Sequence, residues 1–591
     1  MMIGRNGIRK WVALTMGLWV ANTAYSAVQE LHPSFTVRHI LPSQLNTIGG
    51  IGGIDLLPNG DGVICTWGGS QKSDGEVWLI PALASGTPGT PTRITTGMRE
   101  PLGVKVVDND FYVMEKSRID KYTGSGTTWT KSTLWSLPTA WYTDGQWHHF
   151  SFNLVYRDDA FWFTTGTAYD YDPNDPIQRG ALIKVPKTGG SFTQLARGLR
   201  NTNGVGIGPD DEFFATDNQG HWKPADYLYH LPTKNVPTNG RFFGFRTNGN
   251  NACGTQEPSV GGTNDCPNDP EYPPAIWLPY GQYSNSPMRP FLLKHGAYKG
   301  QMISGDVYHG GTLRYFLEKV KGEYQGAAFT FMNSGSDGIN FGINQFLYTP
   351  DTSILVAGIG GGTCNLGGSN NWNWNSTCRG LDVLKPTATT PFDILAIRSV
   401  AGGFEIEFTK PAGTAAATAG NYSVKTTVYT PRQAYGVDGG SGDNNITVNV
   451  TEATLSTDGL KATIKTASLS TRRMYAITLN NNIKSASNEN LYTNVGYYTL
   501  NQVGPADDPP TAIQSHLAKS VQTSAQIGRI SLDLPFEQPY SVSLYNVNGN
   551  RVASQSGSQP QAFATGPLKA GIYVLTGKVG DQDIRQKIRV E

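Results

Sequence analysis

Between about residue 35 and residue 387 one short unit keeps returning: an apolar strand, a turn of Pro, Asp, Asn or Gly, and a second apolar strand. It stands at residues 53–60 (GIDLLPNG), 101–110 (PLGVKVVDND), 152–159 (FNLVYRDD) and 204–216 (GVGIGPDDEFFAT). Variants begin at 301–307 (QMISGDV) and 344–351 (NQFLYTPD). Each turn has a mechanism, because proline fixes φ and Asp or Asn bonds its own backbone. A hairpin cannot bury its own apolar face, so repeated hairpins must stack on one another. Six such units predict an all-β chain that opens with a six-bladed β-propeller over 35–387. The stretch 232–287 falls between units and is expected to be loop.

The pattern then changes. Residues 404–408 (FEIEF), 446–450 (ITVNV), 462–465 (ATIK) and 475–479 (YAITL) alternate or run apolar between turn signals, which predicts an Ig-like β-sandwich over 388–503. A Pro-, Asp- and Ser-containing linker covers 504–521, and a small β unit, expected to be a C-terminal sandwich, covers 522–591. At the other end, Arg5, Arg9 and Lys10 precede the apolar run 11–21, and Ala24-Tyr25-Ser26 follows. Residues 1–26 are therefore expected to be a secretory signal peptide, since the run is too short to span a membrane. No later stretch is long enough either, so no transmembrane segment is expected.

The 47 basic and 46 acidic residues leave a net charge of +1, which gives no support for nucleic acid as a partner. Five cysteines suit an exported chain. Cys253 and Cys266 bracket one Gly/Asn/Pro-rich loop and Cys364 and Cys378 another, so two local disulfides are expected, with Cys65 free and buried.

Residues 198–231 concentrate polar groups at both open ends of one hairpin. Arg200-Asn201-Thr202-Asn203 precede it and Asp217-Asn218-Gln219-Gly220 follow it. A purely structural hairpin does not need that. The order L-R-N-x-N-G, hairpin, D-N-Q-G resembles the strand pair of glucose/sorbosone dehydrogenase-type propellers. The resemblance implies that Arg200, Asn201 and Asn203 face a pyrroloquinoline quinone (PQQ) cofactor. It also implies that Asp217, Gln219 and Gly220 hold Ca²⁺, and that Arg200 stabilises charge on the quinone. The catalytic base implied is His149, four residues before Asn153, with His148 as its rival on the opposite face of an extended chain. The family's later cationic clamps, a Lys and an Arg-x-Arg pair, are missing here. The corresponding segments read 306–311 (DVYHGG) and 340–344 (NFGIN), which leaves His309, Arg314 and Lys299 as substitutes.

Two further resemblances follow. The 388–503 region is similar to the Ig-like module that follows the propeller in some secreted dehydrogenase-like proteins, including the segment Tyr429-Thr430-Pro431 to Tyr435-Gly436. The blocks 544–552 (LYNVNGNRV), 568–573 (LKAGIY) and 586–590 (QKIRV) resemble the type IX secretion C-terminal sorting domain. That implies contact with the secretion machinery and a place outside a Gram-negative cell or on its outer-membrane surface. The function expected is oxidation of a sugar hydroxyl. A second reading rests on Trp141, Tyr142, Trp147, Trp222, Trp277, Trp372 and Trp374, loop aromatics suited to stacking on sugar rings. It makes the protein a non-catalytic carbohydrate-binding propeller. A third is a polysaccharide-degrading enzyme on the same scaffold, although no carboxylate pair stands out.

Overall fold

The computed structural model describes residues 28–40, 50–142, 145–146, 148–259, 266–279, 284–308, 310–360, 380–435 and 445–504. At the C-terminus it describes 531–534, 540–546, 550–557, 561–564, 568, 571–579 and 582–590. The expected signal peptide, the 504–521 linker beyond Gly504, and Cys364 and Cys378 lie outside these residues. Among the described residues the regular elements are strands and single 3-10 turns, and no helix is long and apolar enough to cross a membrane.

Six sheets follow one another along the chain. The first holds Ile51–Leu56, Gly62–Thr66, Gly75–Ile80 and Thr92–Met98. The second holds Gly103–Val107, Asp110–Met114, Arg118–Ser125 and Thr128–Ser136. Ser151–Arg157 begins the third, Val205–Ile207 the fourth, Phe291–Leu292 the fifth and Gly342–Tyr348 the sixth. The early strand Phe35–His39 pairs antiparallel with Leu381–Pro386 and so becomes the outer strand of the sixth sheet. The turns joining first and second strands place Asp108, Asp158, Asp159, Asp210 and Asp211 at φ between 52° and 59°. Asp tolerates that left-handed region, and it suits the twist of a tight hairpin.

The stretch 232–287 is not all loop, which corrects the reading from sequence. Arg241–Phe242 adds in parallel to the third sheet and Ile276–Leu278 completes the fourth. Strands of two and three residues are too short to show a period among so many prolines and glycines.

Opening strands of successive sheets lie against one another. Ile51–Leu56 touches Gly103–Val107, which touches Ser151–Arg157, which touches Val205–Ile207, which touches Phe291–Leu292. The next strand of the fifth sheet, Met302–Gly305, touches Gly342–Tyr348, and that strand returns to Ile51–Leu56. Apolar layers fill the spaces between consecutive sheets, such as Tyr112, Ile119, Phe161 and Phe163 between the second and third. A separate cluster gathers Trp67, Leu102, Phe150, Phe152, Met288, Val307 and Ile359 from strands and the connections beside them.

The 388–503 region is not closed off from what precedes it. Glu323–Met332, the last strand of the fifth sheet, pairs antiparallel with Val495–Leu500. The sheet then runs on through Arg473–Leu479 and Tyr422–Thr427 to Ile446–Val448, giving eight strands. A second sheet, in the order Ile394–Val400, Gly403–Phe408, Lys461–Thr466, Val450–Leu455, faces it across a core that includes Ala327 and Phe329 from the fifth sheet. At the C-terminus, Arg551–Gly557, Tyr540–Asn546, Gly571–Val579 and Gln582–Val590 form one antiparallel sheet, and Ser531–Leu534 pairs with Gln561–Ala564. Cys253 and Cys266 are bonded, with their Cα atoms 5.8 Å apart. Cys65 is free and buried, and burial pushes its thiol pKa up.

Candidate functional site

Asp217 ends the strand Phe213–Asp217 and is buried. Its carboxylate accepts the backbone N–H groups of Arg200 at 2.9 Å, Asn201 at 2.8 Å and Asn218 at 3.1 Å. Lys223 Nζ lies 3.6 Å from it. A buried carboxylate persists when it is satisfied in this way. The latch pins the segment before the hairpin to the segment after it, so the two polar ends seen in the sequence meet.

The residues expected to hold Ca²⁺, Asp217, Gln219 and Gly220, are each in contact with protein groups. Asp217 spends its oxygens on amides, Gln219 turns its Nε2 to Asn285 Oδ1, and the Gly220 backbone pairs with Lys223. Among the described residues no group of three or more His, Cys, Asp or Glu is placed to hold a metal. Asn203 is also engaged, its Nδ2 lying 3.3 Å from both Ser286 Oγ and the Pro287 carbonyl.

Arg200 differs from these neighbours. It is only 2 % exposed, yet its Nε and Nη2 have no hydrogen-bond acceptor among the described residues. The guanidinium rests against Gly220, where a Cβ would stand 2.1 Å from Nε, and over the ring of Tyr435, 5.3 Å from its centroid. Asn201 Oδ1, Thr202 Oγ1 and Gln219 Oε1 are buried and likewise have no partner among the described residues. Orphaned polar atoms are rare in folded proteins, and each stands for an unrecovered desolvation penalty. Several on consecutive and latched residues mark a place where an oxygen-rich ligand would supply the partners.

The adjacent histidines take different surroundings. His148 Nδ1 lies 2.8 Å from the Thr167 carbonyl, and Thr167 donates its own N–H to the Arg200 carbonyl at 2.8 Å. A carbonyl only accepts, so Nδ1 carries the proton and Nε2 the lone pair. Burial, and after it the Arg200 charge, hold the His148 pKa well below the usual histidine value. His149 Nε2 is 3.1 Å from Asp175 Oδ1, and burial lowers its pKa although Asp175 opposes the shift.

The aromatic rim also departs from expectation. Trp141 is packed against Phe192 in the core between the second and third sheets, with Tyr142 against the same core. Trp222 is buried, and Trp277 stacks on Tyr429. Trp147, Trp372 and Trp374 lie outside the described residues. Among the described residues the exposed tyrosines are Tyr169 and Tyr435, 39 % and 47 % exposed, with centroids 6.1 Å apart. Loop tryptophans were read as surface because Gly and Asn surround them, but large indoles are normally buried. Tyr169 carries no sequence signal, and Tyr435 comes from the 388–503 region.

The cationic substitutes do not gather here. Arg314 is committed to the Gln301 side chain, the Leu395 and Ile394 carbonyls and Asp393. Lys299 is exposed in the turn before Met302–Gly305, and His309 lies outside the described residues. Lys116 donates to Glu100 and the Gln146 carbonyl, Lys223 to Tyr229 and the Phe243 carbonyl, and Arg179 to the Gly166 and Phe150 carbonyls. PQQ carries three carboxylates beside its dione. The Arg200 fork matches one pair of adjacent oxygens, so the described donor set does not fit the whole cofactor.

Residues 526–591 match the secretion system C-terminal sorting domain family. Among solved structures the chain is similar to the holo form of the pyranose dehydrogenase PQQ domain from Coprinopsis cinerea. Identity is 12 %, covering 61 % of this chain and 97 % of that one, at a TM-score of 0.44. It is also similar to an S-layer protein, at 12 % identity over 34 % of this chain and 41 % of that one, with a TM-score of 0.16. A Group B Streptococcus pullulanase matches at 14 % identity over 32 % and 22 %, with a TM-score of 0.11. A search of curated proteins finds no match. None of these superpositions sets the fold, which rests on the chain's own strands; the sorting-domain match shows that the chain ends in a secretion signal.

Proposed function

We propose that the protein is an exported, sugar-oxidising six-bladed propeller of the glucose/sorbosone dehydrogenase type, with its site at Arg200. The observation that carries the reading is the group of buried, unpartnered polar atoms on Arg200, Asn201, Thr202 and Gln219. A sugar's vicinal hydroxyls both donate and accept, so one ring edge can satisfy a guanidinium fork and amide oxygens together. The closed circuit of contacts among opening strands supports the propeller, and the sorting domain supports export.

In this reading His148 takes the base role in preference to His149. Its Nε2 lone pair is fixed by the Nδ1–Thr167 bond, and burial, with Arg200 beside it, keeps the ring neutral. The substrate hydroxyl proton passes to Nε2 while Arg200 stabilises the oxygen that loses it. His149 is paired with Asp175, whose other oxygen accepts the Ala168 N–H at 2.8 Å. The quinone acceptor rests on the resemblance of the sequence.

The test is dye reduction by the purified full-length protein with a panel of aldoses, with and without added PQQ. Turnover that is lost in Arg200→Ala and His148→Ala, and retained in His149→Ala, supports the reading. Loss in His149→Ala alone returns the base role to that residue. The unpartnered atoms together with the exposed Tyr169 and Tyr435 also favour a second reading, sugar binding without redox. Aldose binding without dye reduction in any acceptor would select it. Separately, removal of residues 522–591 should keep the protein inside the cell envelope, and its normal appearance outside would defeat the export reading.

A further inference from the structure

We propose that the arm Val428 to Tyr435 of the second β region is part of the Arg200 site, and that Tyr435 and Tyr169 form a clamp for a pyranose ring. The inference rests on the sugar-binding part of the function proposed above. It starts from how the arm is held. The Arg432 carbonyl accepts the Trp222 N–H at 2.7 Å, and the Gln433 carbonyl lies 2.7 Å from His221 Nδ1. In the other direction, Gln433 donates its N–H to Glu257 at 2.9 Å, and Arg432 Nη1 donates to the Pro258 carbonyl at 2.7 Å. The arm is thus fastened to the segment after the central hairpin and to the loop closed by Cys253 and Cys266.

Further along this fastened arm, Tyr435 lies over Arg200 and edge-on to His221, 5.3 Å between ring centroids. An arm that served only to join two regions would bury its aromatic groups. Tyr429, at the other end of the same arm, does so, stacked on Trp277 and 8 % exposed. Tyr435 instead leaves about half its surface open beside the other exposed tyrosine. His148 meets Tyr169 edge-on, with centroids 5.7 Å apart. Tyr435 over the buried guanidinium and Tyr169 against His148, their ring centroids 6.1 Å apart, together offer what a pyranose requires: apolar faces for its C–H groups and a fork for its hydroxyls.

The experiment measures binding of D-glucose, D-galactose, D-mannose and soluble β-glucan to the full-length protein by calorimetry. Variants are Tyr435→Ala, Tyr435→Phe, Tyr169→Ala and Arg200→Ala. The expected result is a loss of about tenfold or more for either Ala substitution at a tyrosine, with Tyr435→Phe within about threefold of the parent. Melting temperatures report whether each variant folds. If the parent binds a sugar and Tyr435→Ala binds it equally well, the clamp is overturned while the Arg200 reading stands. If Tyr435→Ala and Tyr435→Phe fall equally, the aromatic face is not the contact and the clamp is likewise overturned. If the parent binds none of the sugars, both readings fall.

Discussion

Two arginines, each almost wholly buried, carry opposite signatures. Arg314 bonds the Gln301 side chain and two backbone carbonyls, pairs with Asp393 at 3.2 Å, and stacks over Tyr298 and Phe329. It ties the fifth sheet to the start of the 388–503 region. Arg200 has one aromatic neighbour over its plane and two donor atoms facing no acceptor. Burial alone therefore does not separate a structural arginine from one kept ready for a ligand. What separates them is how much of the fork is filled: among the described residues Arg314 leaves its Nε without a partner, whereas Arg200 leaves both Nε and Nη2.

The comparison is broken most sharply by removing each guanidinium in turn. Arg314→Ala leaves Asp393 buried without its cation and should destabilise by about 3–5 kcal/mol in denaturant unfolding. Arg200→Ala keeps the backbone amide that Asp217 holds, so stability should change by less than about 1 kcal/mol while ligand binding is lost. Equal destabilisation by the two would make Arg200 structural after all.

The disulfide sharpens the contrast locally. Cys253→Ser with Cys266→Ser should reduce stability by roughly 3 kcal/mol at most. Because that loop supplies Glu257 and Pro258 to the arm, hydrogen exchange should rise at residues 429–435 and stay unchanged at Arg314 and its partners. A uniform rise would show that the arm is not held separately.

Asp226 gives a pH test. It accepts the Gln219 N–H at 2.7 Å, and burial, with Asp306 nearby, raises its pKa to about 8. An unfolded carboxyl titrates near ~3.9, so the folded state holds the extra proton between those values. This contribution to stability is complete below about pH 4 and is lost as pH rises through about 8. Asp226→Asn should flatten the fall in melting temperature on the alkaline side and change little at pH 4. An unaltered profile would remove Asp226 from the account.

The smallest effect is expected at Gly220. A methyl group there would meet the Arg200 guanidinium, so Gly220→Ala should move the fork and weaken ligand binding by about tenfold, with a modest loss of stability. Unchanged affinity would mean that the position of the fork does not matter.

The sequence by itself determined the local chemistry. Hairpin turns were legible because Pro, Asp and Gly act within a few residues, and Asp158, Asp159 and Asp210 take the positive φ such turns use. The C-terminal sorting blocks and the local Cys253–Cys266 bridge were legible for the same reason. The gathering of polar residues around the central hairpin was legible as well. Tertiary structure decided what those residues do. Asp217 became a latch because three amides from two segments converge on it, which no spacing encodes. Short strands such as Ile276–Leu278 formed because a neighbouring edge was available to pair with them. The 388–503 region was read as a separate sandwich, yet its sheet continues the fifth, because the pairing of Glu323–Met332 with Val495–Leu500 depends on two edges meeting in space. Tyr435 reached Arg200 for the same reason: the contact is made by a fold that returns a distant segment, and nothing in the segment 429–436 names Arg200 as its neighbour.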